Sequence, residues 1–299
     1  SGAANQYGKV WGNDGIVITS NNVLFSDVSR EFHDQSKNLS IFRYRKIVKP
    51  IKKDATVAVL SASGAKIYYH WMMDVIPRIN LLIKSGHFDS IDFFITNYTG
   101  LSFQKELLKR LNINVDKIIA SNDFENFHLQ ATTLIVPSLV TPNDAPSKEA
   151  CSFLRQLFED DLRTNKPEKC IYIQRKSGRK VTNEQELINY LQQKGFEILQ
   201  AESLTVAQQA CVFSEARFVV APHGAGLTNL VFSQPGCKII DIFSPEWVNG
   251  CYWVLSSQLD LKYAYLIGEG EANTIIGKNT DIVVDMEKFD RLFSMMENE

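Results

Sequence analysis

A glycine-containing stretch after an apolar run has the composition of a phosphate-binding turn. Residues 219–229 read VVAPHGAGLTN, which predicts a buried strand, a turn of small residues and then a helix. Glycines allow a close backbone approach, and the N–H groups at a helix start attract phosphate. His223 in this turn can donate a hydrogen bond to a phosphate oxygen or to a leaving group. The alternative is a tight turn in which the glycines permit packing and His223 acts as a cap.

A basic stretch directly follows another predicted strand. Residues 172–180, YIQRKSGRK, place four cations within six positions after that strand. Arg175 and Arg179 can bind a diphosphate through charge-assisted, bidentate hydrogen bonds. A solvated basic loop is the alternative. The position favours a ligand, because ligands of open α/β sheets bind outside the carboxyl ends of the strands.

The third stretch, residues 68–79, reads YYHWMMDVIPRI and carries a His–Asp pair. In a helix His70, Asp74 and Arg78 are spaced four residues apart on one face, and such a pair suits general base catalysis. Pro77 should kink this helix because it removes the hydrogen bond to the Met73 carbonyl. The apolar stripe expected to pack inward consists of Trp71, Val75, Ile79 and Leu82. The alternative is an ordinary surface pair of His and Asp.

One acidic residue and the absence of several motifs limit the classes of enzyme that the sequence can represent. Asp241 lies in the apolar run 238–243, KIIDIF, where an acid can bind a ribose hydroxyl or cap a neighbouring backbone group. The sequence has no Asp-x-Asp pair for holding a metal–diphosphate complex. It also lacks the P-loop, the dinucleotide-binding glycine fingerprint, the nucleophile elbow and the H-E-x-x-H motif. P-loop NTPases, common dinucleotide dehydrogenases, α/β-hydrolases and zinc proteases are therefore disfavoured.

Alternating strands and helices must position these residues. From residue 56 short apolar runs alternate with helical periodicity, which predicts right-handed βαβ units and mostly parallel sheets. Capping boxes predict helix starts at Asn183 with Glu186 and at Thr205 with Gln208. Further predicted elements include a strand over 23–25 and helices over 148–163 and 227–232. The predicted fold class is α/β with two open domains.

Shifts in composition divide the chain into four segments. Residues 1–50 hold short β-prone runs between Asn, Asp and Gly turns, which predicts a small N-terminal β extension. Residues 51–140 and 141–270 form the two α/β domains, and residues 271–299 form a C-terminal segment. Three of the nine prolines fall within residues 137–146, which is typical of an irregular connection between domains.

Charge and cysteine content exclude other classes of protein. The 299 residues carry 32 Lys plus Arg and 34 Asp plus Glu, so the broad basic surface of a nucleic-acid binder is not expected. No apolar run reaches about 18 residues, so no membrane span is expected. Five scattered cysteines without a C-x-x-C pair argue against a disulfide scaffold and a zinc ribbon.

In their order and spacing, these stretches resemble glycosyltransferase family 61. The family includes capsular polysaccharide biosynthesis proteins, plant xylosyltransferases, and protein O-GlcNAc and O-mannose GlcNAc transferases. The resemblance covers roughly residues 68–245. The matching segments are YHWMMDVIPR at 69–78, IQR at 173–175 with Arg179 and Asn183-Glu184, HGAGLTN at 223–229, Pro235-Gly236 and IID at 239–241.

The resemblance implies the GT-B fold, in which an acceptor-side Rossmann-like domain over residues 51–140 faces a nucleotide-sugar-binding one over residues 141–270. It also implies inverting, metal-independent glycosyl transfer. The donor would be a nucleotide sugar, expected to be UDP-linked, and the acceptor an oligosaccharide or polysaccharide. The implied donor-binding residues are Arg175, Arg179, His223, Gly224, Ala225, Gly226, Asn229 and Asp241. Asp74 is the first choice for the catalytic base, and His70 is the second choice or its partner. No metal and no separate cofactor is implied.

The sequence leaves two alternative functions open, and it also indicates a biological role and a cellular location. A polysaccharide pyruvyl transferase would use a similar two-domain frame with a basic phosphate pocket, and an inactive GT-B module would bind glycans without transfer. The expected role is the synthesis of capsular or surface polysaccharide. The expected setting is the bacterial cytoplasm, including its membrane surface, with the lumen of the secretory pathway as the alternative.

Overall fold

The chain forms two compact α/β units. The computed structural model describes residues 2–31, 39–122, 126–141, 146–270 and 281–298. Unit 1 comprises Ser1–Asn143 with Glu149–Leu157, and unit 2 comprises Asp144–Lys148 with Phe158–Glu299. Parallel strands and helices occur in both units, so the α/β class predicted from the alternating pattern is confirmed. The domain boundaries drawn from composition stay predictions.

A mixed sheet forms the centre of unit 1. Its described strands are β1 (Gly2–Gln6), β2 (Lys9–Trp11), β3 (Ile16–Ile18), β4 (Ile51–Val59), β5 (Phe93–Thr96), β6 (Ile118–Ala120) and β7 (His128–Pro137). The order is β3-β2-β7-β4-β5-β6, and β1 pairs with β7 outside this path. The strands β4 to β7 run parallel, whereas β1 and β2 pair antiparallel with β7. The predicted N-terminal β extension therefore adds strands to the main sheet.

The predicted strand over residues 23–25 needs correction. Only an isolated bridge between Leu24 and Ile18 forms there. Asn22 adopts a left-handed conformation (φ 63°), and the chain enters a 3-10 turn at Ser26–Val28 directly afterwards. These two turns leave too few residues between them for a strand.

The helical parts of this region are α1 (Tyr68–His70), α2 (Ile76–Lys84), α3 (Ser102–Arg110) and α4 (Lys148–Leu157). A π-helical turn, Trp71–Val75, joins α1 to α2, and the Ile76 N–H donates to the Trp71 carbonyl. The stretch is helical as predicted, but Pro77 does not interrupt a regular α-helix. It stands in the first turn of α2, where its missing N–H costs little.

The predicted helix over 148–163 is shorter than expected. The α-helix ends at Leu157, and a 3-10 turn follows at Glu159–Asp161. Three consecutive acidic residues would stand at the helix C-terminus if it continued, where the helix dipole disfavours negative charge. The α-helix therefore stops before this acidic run.

Unit 2 is built on a parallel sheet. Its described strands are β8 (Lys169–Ile173), β9 (Phe196–Leu199), β10 (Ala216–Pro222), β11 (Lys238–Phe243) and β12 (Lys262–Ile267), in the order β12-β11-β10-β8-β9. The described α-helices are α5 (Glu184–Gln193), α6 (Val206–Ser214), α7 (Cys251–Gln258) and α8 (Met286–Asn298). Helix α8, within the predicted C-terminal segment, packs into the core: the Phe293 ring stacks on Phe218 at 5.2 Å.

The two predicted capping boxes differ in outcome. Thr205 and Gln208 form the reciprocal pair at the start of α6, as predicted. Asn183 makes no capping bond to α5, because its amide oxygen accepts from Val284 N and its amide nitrogen donates to Val284 O. A tertiary contact has thus replaced the predicted local one.

The predicted helix over 227–232 is a 3-10 helix, Ala225–Phe232. Asn229 lies within it, and its Nδ2 donates to Gln209 Oε1 at 2.6 Å and to Gly226 O at 3.1 Å. These bonds fix the turn to α6. No helix in the described part of the chain has the length and apolar character that a membrane crossing requires.

Candidate functional site

Arg175 follows β8 and connects the basic loop to the glycine-containing turn. Its Nη1 donates to His223 O at 3.0 Å, its Nε to Gly178 O at 2.8 Å, and its Nη2 to Ser177 O at 3.3 Å. A Cβ atom built on Gly224 would lie 1.4 Å from Arg175 Nη1. The Gly224 backbone is extended (φ 172°), so the requirement for glycine comes from space and not from backbone conformation.

Arg179 lies in the same basic loop and retains hydrogen-bonding capacity. Its buried Nε has no hydrogen-bond partner among the described residues, and its backbone is left-handed (φ 50°). Burial lowers the pKa of Arg179, while the nearby Tyr252 and Asp241 oppose this shift. Burial, followed by repulsion from Arg179, likewise lowers the pKa of Arg175. Two cations are thus held close together, an arrangement that a bound anion would stabilise.

His223 and Asp241 form a buried pair next to these arginines. The His223 Nδ1–H donates to Asp241 Oδ2 at 2.9 Å, and Tyr263 OH donates to the same oxygen at 2.8 Å. His223 is 4% exposed and Asp241 is fully buried. The Asp241 Oδ1 has no hydrogen-bond partner among the described residues. The carboxylate thereby fixes the orientation of the imidazole.

Aromatic rings enclose the His223 imidazole. It stacks on Phe243 with ring centroids 4.6 Å apart and lies 5.1 Å from the Tyr252 ring. The His223 N–H donates to Ile242 O at 2.8 Å, which anchors the turn to the end of β11. Burial raises the pKa of Tyr263 and Tyr252, so both phenols stay protonated.

The remaining residues of the predicted donor site support this turn. Ala225 and Gly226 are partly exposed at the start of the 3-10 helix. A Cβ on Gly226 would lie 3.1 Å from Ile173 Cγ2, so glycine permits close packing of the turn on β8. In the adjacent segment, Glu184 accepts from Tyr172 OH and Gln174 Nε2, both at 2.9 Å. Glu184 therefore joins α5 to the end of β8.

His70 and Asp74 form a second His–carboxylate pair, in unit 1. The His70 Nδ1–H donates to Asp74 Oδ2 at 2.6 Å, and the side chains are 17% and 18% exposed. Thr141 Oγ1 donates to the other carboxylate oxygen, Asp74 Oδ1. Both oxygens of Asp74 therefore accept hydrogen bonds from the protein. The π-helical turn that contains Asp74 sets this geometry.

Arg78, which the spacing puts on one helix face with His70 and Asp74, lies in the protein interior. It is 1% exposed, and its Nη1 and Nη2 donate to Ser61 O at 3.1 Å and Pro137 O at 3.0 Å. These carbonyls lie just beyond β4 and at the end of β7. Burial lowers the pKa of Arg78 to about 10, against an opposing effect of Asp74. Arg78 therefore holds the carboxyl ends of two strands together. The stripe of Trp71, Val75, Ile79 and Leu82 is buried, as predicted.

The structure brings together Arg175, Arg179, His223, Gly224 and Asp241 at one edge of the unit 2 sheet. Sequence reasoning missed Tyr263 and Tyr252 there, and Thr141 in unit 1. The alternating run KYAYLI at 262–267 is a strand signal that could have placed Tyr263 beside β11. Among the described residues, no group of three or more His, Cys, Asp or Glu side chains could hold a metal ion.

Comparison with known proteins identifies the family of this α/β protein. The Glycosyltransferase 61 family profile matches residues 68–240, more than half of the chain, and the chain belongs to this family. The resemblance noted from the sequence is thereby confirmed.

A rice protein is among the curated relatives. The chain is 26% identical over 234 residues to "Beta-1,2-xylosyltransferase XAX1" of Oryza sativa subsp. japonica. The match covers 69% of this chain and 41% of the rice protein, so the chain spans less than half the length of that relative.

Proposed function

We propose that this protein transfers a sugar from a nucleotide sugar to a glycan hydroxyl, with inversion at the anomeric carbon and without a metal ion. The observation that carries the proposal is the buried Nε–H of Arg179, which has no hydrogen-bond partner in the described part of the chain and lies beside Arg175 and the His223–Gly226 turn. A diphosphate would supply acceptor oxygens to these cationic side chains. Family membership supports the same reaction class.

The donor diphosphate binds at the edge of the unit 2 sheet. Arg179 contacts its oxygens directly, while Arg175 contributes charge and holds the basic loop against the turn. Amides around Gly224–Gly226 add donors. Asp241, predicted to lie near the ribose, is fully buried on His223 and Tyr263. We therefore assign it the positioning of His223, which faces the leaving group.

His70 is the base in this proposal, and Asp74 is its partner. The Asp74 carboxylate holds the proton on His70 Nδ1, so the lone pair resides on Nε2. Asp74 Oδ1 also accepts a hydrogen bond from Thr141 Oγ1. His70 and Thr141 together therefore engage both oxygens of the carboxylate. This assignment reverses the order of preference drawn from the sequence, because the two side chains divide the roles of base and orienting carboxylate.

The reaction is a single displacement. His70 Nε2 removes the proton of the acceptor hydroxyl as its oxygen forms a bond to the anomeric carbon. The bond from that carbon to the diphosphate breaks, and its electron pair leaves with the nucleoside diphosphate. Arg175, Arg179 and the turn amides stabilise the developing charge there. An α-linked donor gives a β-linked product, in keeping with the β linkage in the name of the rice relative.

The fold, the donor sugar and the cellular role in this proposal rest on different observations. The GT-B arrangement is supported by two units that each contain parallel strands, and a UDP-linked pentose is the first donor to test because the rice relative is named as a xylosyltransferase. The role in capsular or surface polysaccharide synthesis derives from the resemblance. A plant relative gives no support to the bacterial cytoplasmic setting, and the secretory lumen stays the alternative.

Thermal shift and calorimetry with UDP, GDP and CMP sugars test the proposal. A ligand that binds the folded protein raises the melting temperature, and the stabilisation grows with the logarithm of its concentration relative to its Kd. We expect one nucleotide class to stabilise the protein and to lose its effect in Arg179→Ala. An absence of stabilisation by every nucleotide sugar would favour an inactive glycan-binding module, and stabilisation by phosphoenolpyruvate alone would favour pyruvyl transfer.

A further inference from the structure

The turn between β2 and β3 lies over the carboxyl ends of the parallel strands of unit 1. Asn97, which follows β5, donates from Nδ2 to Asn13 O at 2.7 Å, and Ser121, which follows β6, donates to the same oxygen at 2.8 Å. Gly15 packs so tightly against Ser61 that a Cβ on it would lie 2.8 Å from the serine Cβ. Residues just beyond three parallel strands therefore hold this antiparallel turn in place.

Asn13 and Asp14 of this turn line a cavity of about 540 Å³. This volume is within the range of small-molecule sites, roughly 300–1,000 Å³. It occupies the carboxyl edge of the sheet, where ligands of open α/β sheets bind. The described residues that line it all belong to unit 1: Asn13, Asp14, Glu31, Ser40, Ser63, Gly64, Ala65, Lys66, Ile67 and Asn97.

The described lining residues combine two carboxylates and one ammonium with Ser and Asn side chains that both donate and accept hydrogen bonds. Asp14 accepts from Ser63 Oγ at 3.1 Å, and Glu31 accepts from the N–H and Oγ of Ser40 at 2.7 and 2.5 Å. Lys66 is an exposed ammonium at the rim. Burial raises the pKa of Asp14, with a further contribution from the nearby Glu31 carboxylate. Two carboxylates against one ammonium disfavour an anionic ligand and suit one rich in hydroxyl donors.

The cavity is linked to the His70–Asp74 pair through the chain. Residues 63–67 line the cavity, and the loop that contains them leads directly into α1, which carries His70. Arg78, four residues after Asp74, fixes the start of this loop by donating to Ser61 O. A ligand in the cavity thus lies against the loop that sets the position of the catalytic pair.

We propose that this cavity binds a neutral saccharide unit of the acceptor through its hydroxyl groups, with Asp14 as the principal contact. The assignment rests on the proposed function and adds the chemistry of its acceptor. The N-terminal turn, which the transfer mechanism does not use, then serves to place Asp14 at the acceptor.

Saturation-transfer NMR on the full chain with bound UDP tests this assignment. The probes are xylotriose, mannotriose and cellotriose as neutral trisaccharides and trigalacturonic acid as the anionic counterpart. The variants are Asp14→Ala and Lys66→Ala, with Asp89→Ala as a control that removes an exposed carboxylate outside the cavity. Lys66 is exposed, so its variant reports on the cavity even if the Asp14 variant folds poorly.

We expect a neutral trisaccharide to receive saturation from the wild type and from the Asp89 variant. Its saturation-transfer signal should be at least five-fold weaker with the Asp14 variant. The same signal should be two- to three-fold weaker with the Lys66 variant. Trigalacturonic acid should give no signal with the wild type. Absence of binding by all neutral probes, equal binding in the Asp14 variant, or binding of trigalacturonic acid overturns the assignment. UDP affinity, measured by calorimetry on the same samples, reports separately on the proposed donor site. A failure of the acceptor assignment can therefore be distinguished from a failure of the proposed function.

Discussion

Gly224 leaves the space that the Arg175 guanidinium occupies. A Cβ atom on Gly224 would lie 1.4 Å from Arg175 Nη1, far inside any non-bonded contact distance. The arginine uses that space to reach His223 O and thereby holds the basic loop against the turn. One glycine and one arginine, 49 residues apart in the chain, thus determine the shape of the proposed diphosphate site.

Gly224→Ala should weaken nucleotide binding without unfolding the protein, because the displaced atoms are the end of a flexible side chain. Loss of charge-assisted hydrogen bonds predicts a rise in the Kd for UDP of roughly 10- to 100-fold. Calorimetry measures this. Gly250→Ala is the matched control, since its added Cβ would meet only Trp253 at 3.9 Å. Equal UDP affinity in both variants would contradict the steric account.

His70→Ala should reduce kcat by roughly 100- to 10,000-fold, the range of general base catalysis. Asp74→Asn should reduce it less, because the imidazole remains. UDP affinity should be unchanged in both variants, as these residues lie in unit 1. Steady-state kinetics with the exposed His87→Ala variant as control measures this. Full loss in Asp74→Asn with activity retained in His70→Ala would identify the carboxylate as the base.

Tyr263→Phe should lower the free energy of unfolding by about 1–3 kcal/mol, because Asp241 loses a buried hydrogen bond. It should also weaken UDP binding, since the carboxylate that orients His223 becomes less constrained. Urea unfolding and calorimetry measure the two effects. Tyr265→Phe, two residues along β12 and 56% exposed, is the control and should change neither. Similar behaviour of both variants would argue against the positioning role.

Arg78→Met should lower the free energy of unfolding by about 2–5 kcal/mol, because two buried carbonyls lose their donors. The side chain joins Ser61 O to Pro137 O, so the loss also loosens the loop before α1. Urea unfolding measures the effect against Lys84→Met, an exposed change at the end of α2. A stability equal to that of the control would show that Arg78 is not structural.

Transfer activity should persist after chelation. Arginines and turn amides neutralise the leaving diphosphate in the proposed mechanism, so EDTA treatment should leave kcat within about two-fold of the untreated value. Activity assays before and after chelation, with Mg²⁺ and Mn²⁺ added back, measure this. A large loss restored by one of these ions would refute metal-independent transfer.

Sequence patterns predicted most of the strands and helices, because these elements depend on interactions between residues close together in the chain. Alternating apolar runs gave the parallel strands, and the spacing of His70 and Asp74 gave their pairing, which the structure confirms. Gly195, two residues after α5, adopts the left-handed conformation typical of a glycine that ends a helix (φ 81°). Each of these features depends on residues close in sequence.

Features that depend on distant residues were not predictable. Asn183 leaves its capping role because Val284, a hundred residues later, binds its side chain. Arg78 is buried because two strand ends meet there, which its helical spacing does not reveal. The N-terminal strands join the main sheet because β7 is long enough to pair with several strands. Pro142 of the predicted proline-rich connection lies outside the described residues.

Mass analysis of an acceptor glycan incubated with a nucleotide sugar tests the central claim most directly. The wild-type protein should add a pentose, hexose or N-acetylhexosamine to the glycan, and Arg179→Ala should add none under the same conditions. The new linkage should have the anomeric configuration opposite to that of the donor. A carboxyethylidene increment from phosphoenolpyruvate, or a sugar added with retained configuration, would contradict the account.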